Sequence, residues 1–213
     1  MKRDFKQMKI ITISREFGSG GRELGKQIAD VLGYDYYDKE IIASIASNKG
    51  MDEDYVARAM KHNTWQNVPL NFHQTIVGAP LDTTHTELLL EQKRVIEHIA
   101  KNGKDCVIVG RNADILLRDY HPFNIFVCAD MEVKISRCIE RGSDDDCSNA
   151  KEVQRKIVKI DKGRAQTRAV ITDSTWGDRS AYHLIVNTTD WSMDELKLAV
   201  AQFAKSWFER THK

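Results

Sequence analysis

Three short stretches of the chain are apolar at nearly every position: MKIITIS at 8–14, CVIV at 106–109 and NIFVC at 124–128. A strand with one wet face alternates, whereas an unbroken apolar strand needs cover on both faces. Shorter strand candidates stand at Tyr34–Tyr37 and Leu184–Val186. Helical patterns separate the strands. Residues 22–32 place Leu24, Ile28, Val31 and Leu32 on one face and stop at Gly33. Helices are also expected after Asp38 (Ile41, Ile42, Ile45), over 86–102 (Leu88, Val95, Ile99), over Met131–Arg141, and over a long basic segment from about Ala150 to Thr172. Ser192 and Glu195 form a capping box for a final helix with core face Leu196, Val200, Phe203 and Trp207. Such alternation predicts an α/β fold, a parallel sheet of about five strands with helices on both faces. No linker or repeat divides residues 1–213, so one domain is expected.

Composition removes several function classes. Apolar residues make up 41% and charged residues 30%, which suits a soluble globular domain rather than a disordered chain. The formal net charge is +1, so a protein-wide basic field for nucleic acid is absent. No apolar run approaches a membrane span, and the basic start is too polar for a signal peptide. Cys106, Cys128, Cys138 and Cys147 form no CxxC pair, and the histidines form no HxxxH pair. These features lead to expectations of a cytoplasmic protein, no protein-held metal, no nucleic-acid partner and no membrane partner. Nothing in the sequence marks the oligomeric state.

The most specific local signal is ITISREFGSGGRELG, residues 11–25. Gly18, Ser19, Gly20 and Gly21 lie between a buried strand and a helix start. Glycines let backbone amides converge, and a helix start adds unpaired N–H groups and a partial positive charge. That combination is an anion nest suited to phosphate. Arg15, Gly18, Ser19, Gly20, Gly21, Arg22 and Glu23 are therefore the expected nucleotide-binding set. Matched on its glycines to G-x-x-x-x-G-K-[ST], however, the loop puts Gly21 at the lysine position and Arg22 at the Ser/Thr position.

Along the whole chain, SREFGSGGRELG, YYDKEII, CVIVGRNAD, NIFVCAD and WGDRSAYHLIVNT resemble, in order, the cytidylate kinase-like family of P-loop nucleoside monophosphate kinases. The resemblance spans roughly residues 8–205 and implies a phosphate loop at 15–22, an acceptor region at 38–85 and a lid at 142–163. It implies that Asp38, Arg111 and Asp114 bind the acceptor. Asp38 also suits a helix N-cap, as do Asp114 and Asp130. It further implies ATP and Mg2+ as cofactors, with nucleotides or another small molecule as partners.

Residues 151–168 hold seven Lys/Arg and two acids. Asp161, Arg164 and Arg168 share one helix face, as do Arg137 and Arg141. Phosphoryl transfer needs positioning and positive charge, which arginine's planar fork supplies. Arg22, Arg137, Arg141, Arg164 and Arg168 are thus the candidate catalytic residues, with Asp161 joining the acceptor set. For the missing lysine, Arg22 stands nearest, Arg15 can fold back over the turn, and the lid arginines are the remaining source. The expected reaction is transfer from ATP to a nucleoside monophosphate, CMP or dCMP by resemblance. Two alternatives remain: a kinase for another small acceptor, and a nucleotide-binding regulatory module without turnover.

Overall fold

The structure, a computed structural model, describes residues 8–38, 93–101, 104–141 and 149–211. The helix expected after Asp38, the irregular stretch 61–85, the start of the helix at 86–92 and the lid loop 142–148 lie outside the described residues.

Five strands form one sheet: β1 (Ile10–Arg15), β2 (Asp35–Tyr37), β3 (Cys106–Val109), β4 (Phe123–Cys128) and β5 (Leu184–Asn187). Their order is β2-β3-β1-β4-β5, and every pairing is parallel. Parallel strands need crossovers, and the helices supply them. They are α1 (Gly21–Leu32), a helical segment at 93–101, α2 (Ala113–Leu116), α3 (Met131–Glu140), α4 (Ala150–Ile171) and α5 (Met193–Thr211).

Burial on both faces explains the unbroken apolar strands. Ile10, Cys106 and Ile108 pack with Val95, Ile96 and Ile99 on one side of the sheet. Ile11, Ile13, Val107 and Val109 pack with Leu24 and Ile28 of α1 and Val200 and Phe208 of α5 on the other. Thr12, buried within β1, donates its hydroxyl to Asn124 Oδ1 at 2.7 Å, so its polar atom is satisfied.

Two expected helix faces are corrected. In α1 the core residues are Leu24, Ile28 and Ala29, while Val31 is exposed. In α5 the buried line runs Leu196, Val200, Ala204 and Phe208. A spacing of four keeps that line against the sheet. Phe203 sits at its rim, 48% exposed, with one ring face stacked on Phe123. The capping box forms as expected, with Glu195 N–H donating to Ser192 Oγ and Ser192 N–H to Glu195 Oε2. Asp130 occupies the N-cap position of α3, but its side chain makes no capping bond. The N-cap position of α2 is Asn112, not Asp114.

All five carboxyl ends face one edge, where open α/β sheets bind ligands. β1 is central, and the chain leaves it through the glycine-rich turn.

Candidate functional site

At the end of β1 the backbone turns through Gly18 and Gly20, both at φ +79°, and α1 begins at Gly21. That left-handed conformation costs an L-residue roughly 1–2 kcal/mol. The first helical bond is Leu24 N–H to Gly20 O. Among the described residues no group accepts from the amides of Gly20, Gly21 or Glu23. Those donors stand at the positive end of α1, an arrangement that can take an anion.

Side chains from distant segments hold the loop. Glu16 Oε2 accepts from Lys134 Nζ at 2.9 Å and from Ala129 N–H at 3.2 Å. Phe17 N–H donates to Asp161 Oδ1 at 2.9 Å. Arg164 Nη1 donates to Arg15 O at 2.8 Å and to Asp161 Oδ1 at 3.0 Å. Thr188 Oγ1 donates to Ser19 O at 2.7 Å, and Arg137 Nη1 donates to Ser19 O and to Thr188 Oγ1. Burial raises the Asp161 carboxyl above its ordinary range, against the opposing pull of Arg164 and the Phe17 amide. Burial lowers Arg164, which Asp161 opposes. Glu16, Lys134 and Thr188 went unseen in the sequence. Buried Lys134 carried only the faint signal of a lysine between apolar helix positions.

The expected arginines separate into three situations. Arg137 and Arg164 bind loop carbonyls, so both orient the loop. Arg22 Nε pairs with Asp38 Oδ2 at 2.8 Å, and Arg141 pairs with Glu23. Arg168 Nη1 pairs with Asp114 Oδ2 at 2.7 Å and also donates to Ser174 O and Oγ. This pair is wholly buried, so the structure joins a candidate catalytic arginine to a candidate acceptor aspartate instead of bringing either to the loop.

Arg15 and Arg111 differ from these. Among the described residues no hydrogen bond or ion pair engages the Arg15 guanidinium, and Arg111 Nε is buried without a partner. Arg111 follows Gly110 in a run of three positive φ values: +82° at Gly110, +59° at Arg111 and +51° at Asn112. For non-glycine residues that conformation stores strain, a recurrent property of ligand sites. Burial lowers the pKa of both arginines. Arg164 and Arg111 push Arg15 further down, while Tyr36 and Asp38 oppose the shift. Tyr36 Oη donates to Asp38 Oδ2 at 3.4 Å, and burial raises its pKa well above the ordinary phenol value. Arg15, Arg111, Asp38, Arg22 and Tyr36 thus share the carboxyl edge of β1, β2 and β3, and of the four expected acceptor residues two meet there, Asp38 and Arg111.

The described residues hold no cluster of three His, Cys, Asp or Glu placed for a metal ion. Arg22 stands where the common loop offers a hydroxyl, and the nearby carboxylates of Glu16, Asp38 and Asp161 are each paired with a cation. The residues therefore do not fit a protein-held magnesium.

Residues 10–190 match the cytidylate kinase-like family. The chain belongs to the cytidylate kinase-like family. A relative from Haloarcula marismortui, called cytidylate kinase, is 26% identical over 185 residues, which is 85% of this chain and 82% of its own. An uncharacterized protein from Eubacterium ventriosum superposes with a TM-score of 0.69 at 22% identity, covering 93% of this chain and 99% of its own. A shikimate kinase from Bacteroides thetaiotaomicron superposes at 0.54 and 13% identity, covering 93% and 99%. The cytidylate kinase-like chain thus shares the fold of that shikimate kinase, and its family supports kinase-type phosphotransfer. No helix among the described residues is long and apolar enough to cross a membrane.

Proposed function

We propose that the protein transfers the γ-phosphoryl group of ATP to a nucleoside monophosphate, CMP or dCMP. The observation that carries this reading is the pairing, among the described residues, of the unengaged amides of Gly20, Gly21 and Glu23 with Arg111, whose Nε is buried without a partner just beyond the end of the neighbouring strand. The nest suits the donor's phosphates and Arg111 the acceptor's. Asp38, held by Arg22 and Tyr36, is the acceptor-side hydrogen-bond acceptor for an amino or hydroxyl group. The family and the cytidylate kinase relative favour a cytosine base.

A monophosphate is largely a dianion near neutral pH, so its oxygen attacks without a general base. The bond between the γ-phosphorus and the β,γ-bridging oxygen breaks, and its electron pair leaves with ADP. ATP4− and the monophosphate dianion become two trianions, with no proton moved. The chain's contribution is positioning and charge.

The test is a coupled assay with MgATP against a panel of nucleoside monophosphates and other small acceptors. The expected result is turnover with CMP and dCMP ahead of the rest. Preferred turnover of a different acceptor would correct the substrate. ATP binding with no turnover on any acceptor would overturn the kinase reading in favour of a nucleotide-binding regulatory module.

A further inference from the structure

Gly21 removes the side chain that bridges phosphates in the common loop, so a full positive charge is missing where the transferring group passes. Among the described residues, the other arginines that touch the loop are occupied. Arg22 is on Asp38, Arg141 on Glu23, Arg137 on Ser19 O and Thr188, and Arg164 on Asp161 and Arg15 O. Arg15 alone of the loop arginines has no hydrogen-bond or ion-pair partner among the described residues for its guanidinium.

The placement of Arg15 is defined by two glycines. A Cβ at Gly21 would lie 2.6 Å from Arg15 Cβ, so the root of the Arg15 side chain occupies the space that a side chain at 21 would need. A Cβ at Gly110 would lie 1.8 Å from Arg15 Nη1, so the guanidinium ends against the backbone beyond β3. Arg15 therefore runs from beneath the donor nest to the turn that carries Arg111. The stem of Arg15 thus fills the volume beside position 21, and its charge is delivered to the Gly110 turn.

We propose that Arg15 is the substitute for the missing loop lysine and that, with Arg111, it forms one phosphoryl-receiving site between the donor nest and the acceptor. The proposal rests on the kinase reading above. Arg15 touches the transferring group and Arg111 the acceptor phosphate. Arg15 and Arg111 share the field of Asp38, whose carboxylate is already paired with Arg22, so their charges are only partly offset in the empty protein and are favoured once a multiply charged phosphate lies between them. Burial is the main cause that lowers both arginines, and at Arg15 the neighbouring Arg164 and Arg111 add to it.

The experiment uses Arg15→Met, Arg15→Lys and the double variant Arg15→Gly with Gly21→Lys. Single-turnover transfer from MgATP to CMP is measured beside ATP affinity and the urea midpoint. Arg15→Met is expected to lose about a thousandfold or more in rate, the scale of a transition-state arginine, with ATP affinity changed less than tenfold. It is also expected to raise the urea midpoint, because it removes an unpaired charge while keeping the stem. A merely structural arginine would lower that midpoint. Arg15→Lys is expected to recover part of the rate, and the double variant to transfer faster than Arg15→Met. A rate within threefold of the unaltered protein in Arg15→Met, or a lower midpoint with rate and affinity lost together, would overturn the proposal. If the unaltered protein transfers to no acceptor, the kinase reading fails by itself. Inorganic phosphate then decides for Arg15: a tenfold weaker affinity in Arg15→Met supports the site, and an unchanged affinity overturns it.

Discussion

Arg168 and Asp114 close a 2.7 Å ion pair that joins α4 to α2 out of reach of solvent. The guanidinium is further satisfied by Ser174 O and Oγ and lies over the Tyr182 ring. Removing one partner of a buried pair leaves a stranded charge and costs about 3–5 kcal/mol. Arg168→Met and Asp114→Leu should each lower the unfolding free energy by that order, read from urea titration. The double variant should be more stable than either, since apolar residues of similar volume replace the pair. Lower stability in the double variant than in both singles would place the two residues in separate roles.

Lys134 and Glu16 tie α3 to the loop at 2.9 Å, with Lys134 nearly buried and Glu16 a quarter exposed. Lys134→Met should cost about 3 kcal/mol and weaken ATP binding by loosening the backbone at Glu16. Glu16→Gln keeps an acceptor for the Ala129 amide and should lose less of both. Thermal unfolding and calorimetric titration with ATP measure the two effects together.

Gly20 is left-handed, and a Cβ there would meet the Met193 methyl at 2.3 Å. Gly20→Val should abolish ATP binding while circular dichroism stays native. Arg111→Ala should leave ATP affinity nearly intact and raise the acceptor KM at least tenfold. That matches a charge-assisted bond of about 1.5–3 kcal/mol. Equal loss of both affinities would assign Arg111 to structure.

His183 Nδ1 accepts from Asn124 N–H at 2.9 Å, with the ring stacked on Phe123. Burial holds its pKa below the ordinary 6.5. As pH falls through the unfolded value, the unfolded chain takes up the proton first, so stability present above about pH 6.5 is lost on acidification. The ring is partly exposed, so the effect stays under about 1 kcal/mol. Urea midpoints between pH 8 and 5 should fall less steeply in His183→Gln than in the unaltered protein.

The strands were legible because double burial leaves few polar positions to disguise them, as CVIV at Cys106–Val109 shows. Helix faces were legible to within one line of residues. Val31 and Phe203 misled because rim residues are apolar without being buried. At the site, the nest could be read from Gly18, Gly20 and Gly21. Its fastenings could not, because Thr188 and Ser19 are far apart in the chain and no local pattern links them. Helical spacing rightly put Asp161 beside Arg164, yet it gave no sign that Arg168 would turn inward to Asp114. Arg15 was visible only as a candidate, since its partnerless state depends on where every other cation goes.

The glycine-rich loop is fastened by residues that leave the ribosome long after it does. Phe17 waits 144 residues for Asp161, Arg15 O 149 for Arg164, and Ser19 O 169 for Thr188. A nascent chain that ends before Asp161 already carries β1, β3 and β4 and the whole glycine signature. It has for that loop the contacts from Ala129, Lys134, Arg137 and Arg141 but none from α4 or Thr188, and contacts of such long separation form late. The geometry of the loop is thus a property of the almost finished polypeptide, and a chain cut short in α4 keeps the signature without the fastenings that shape it.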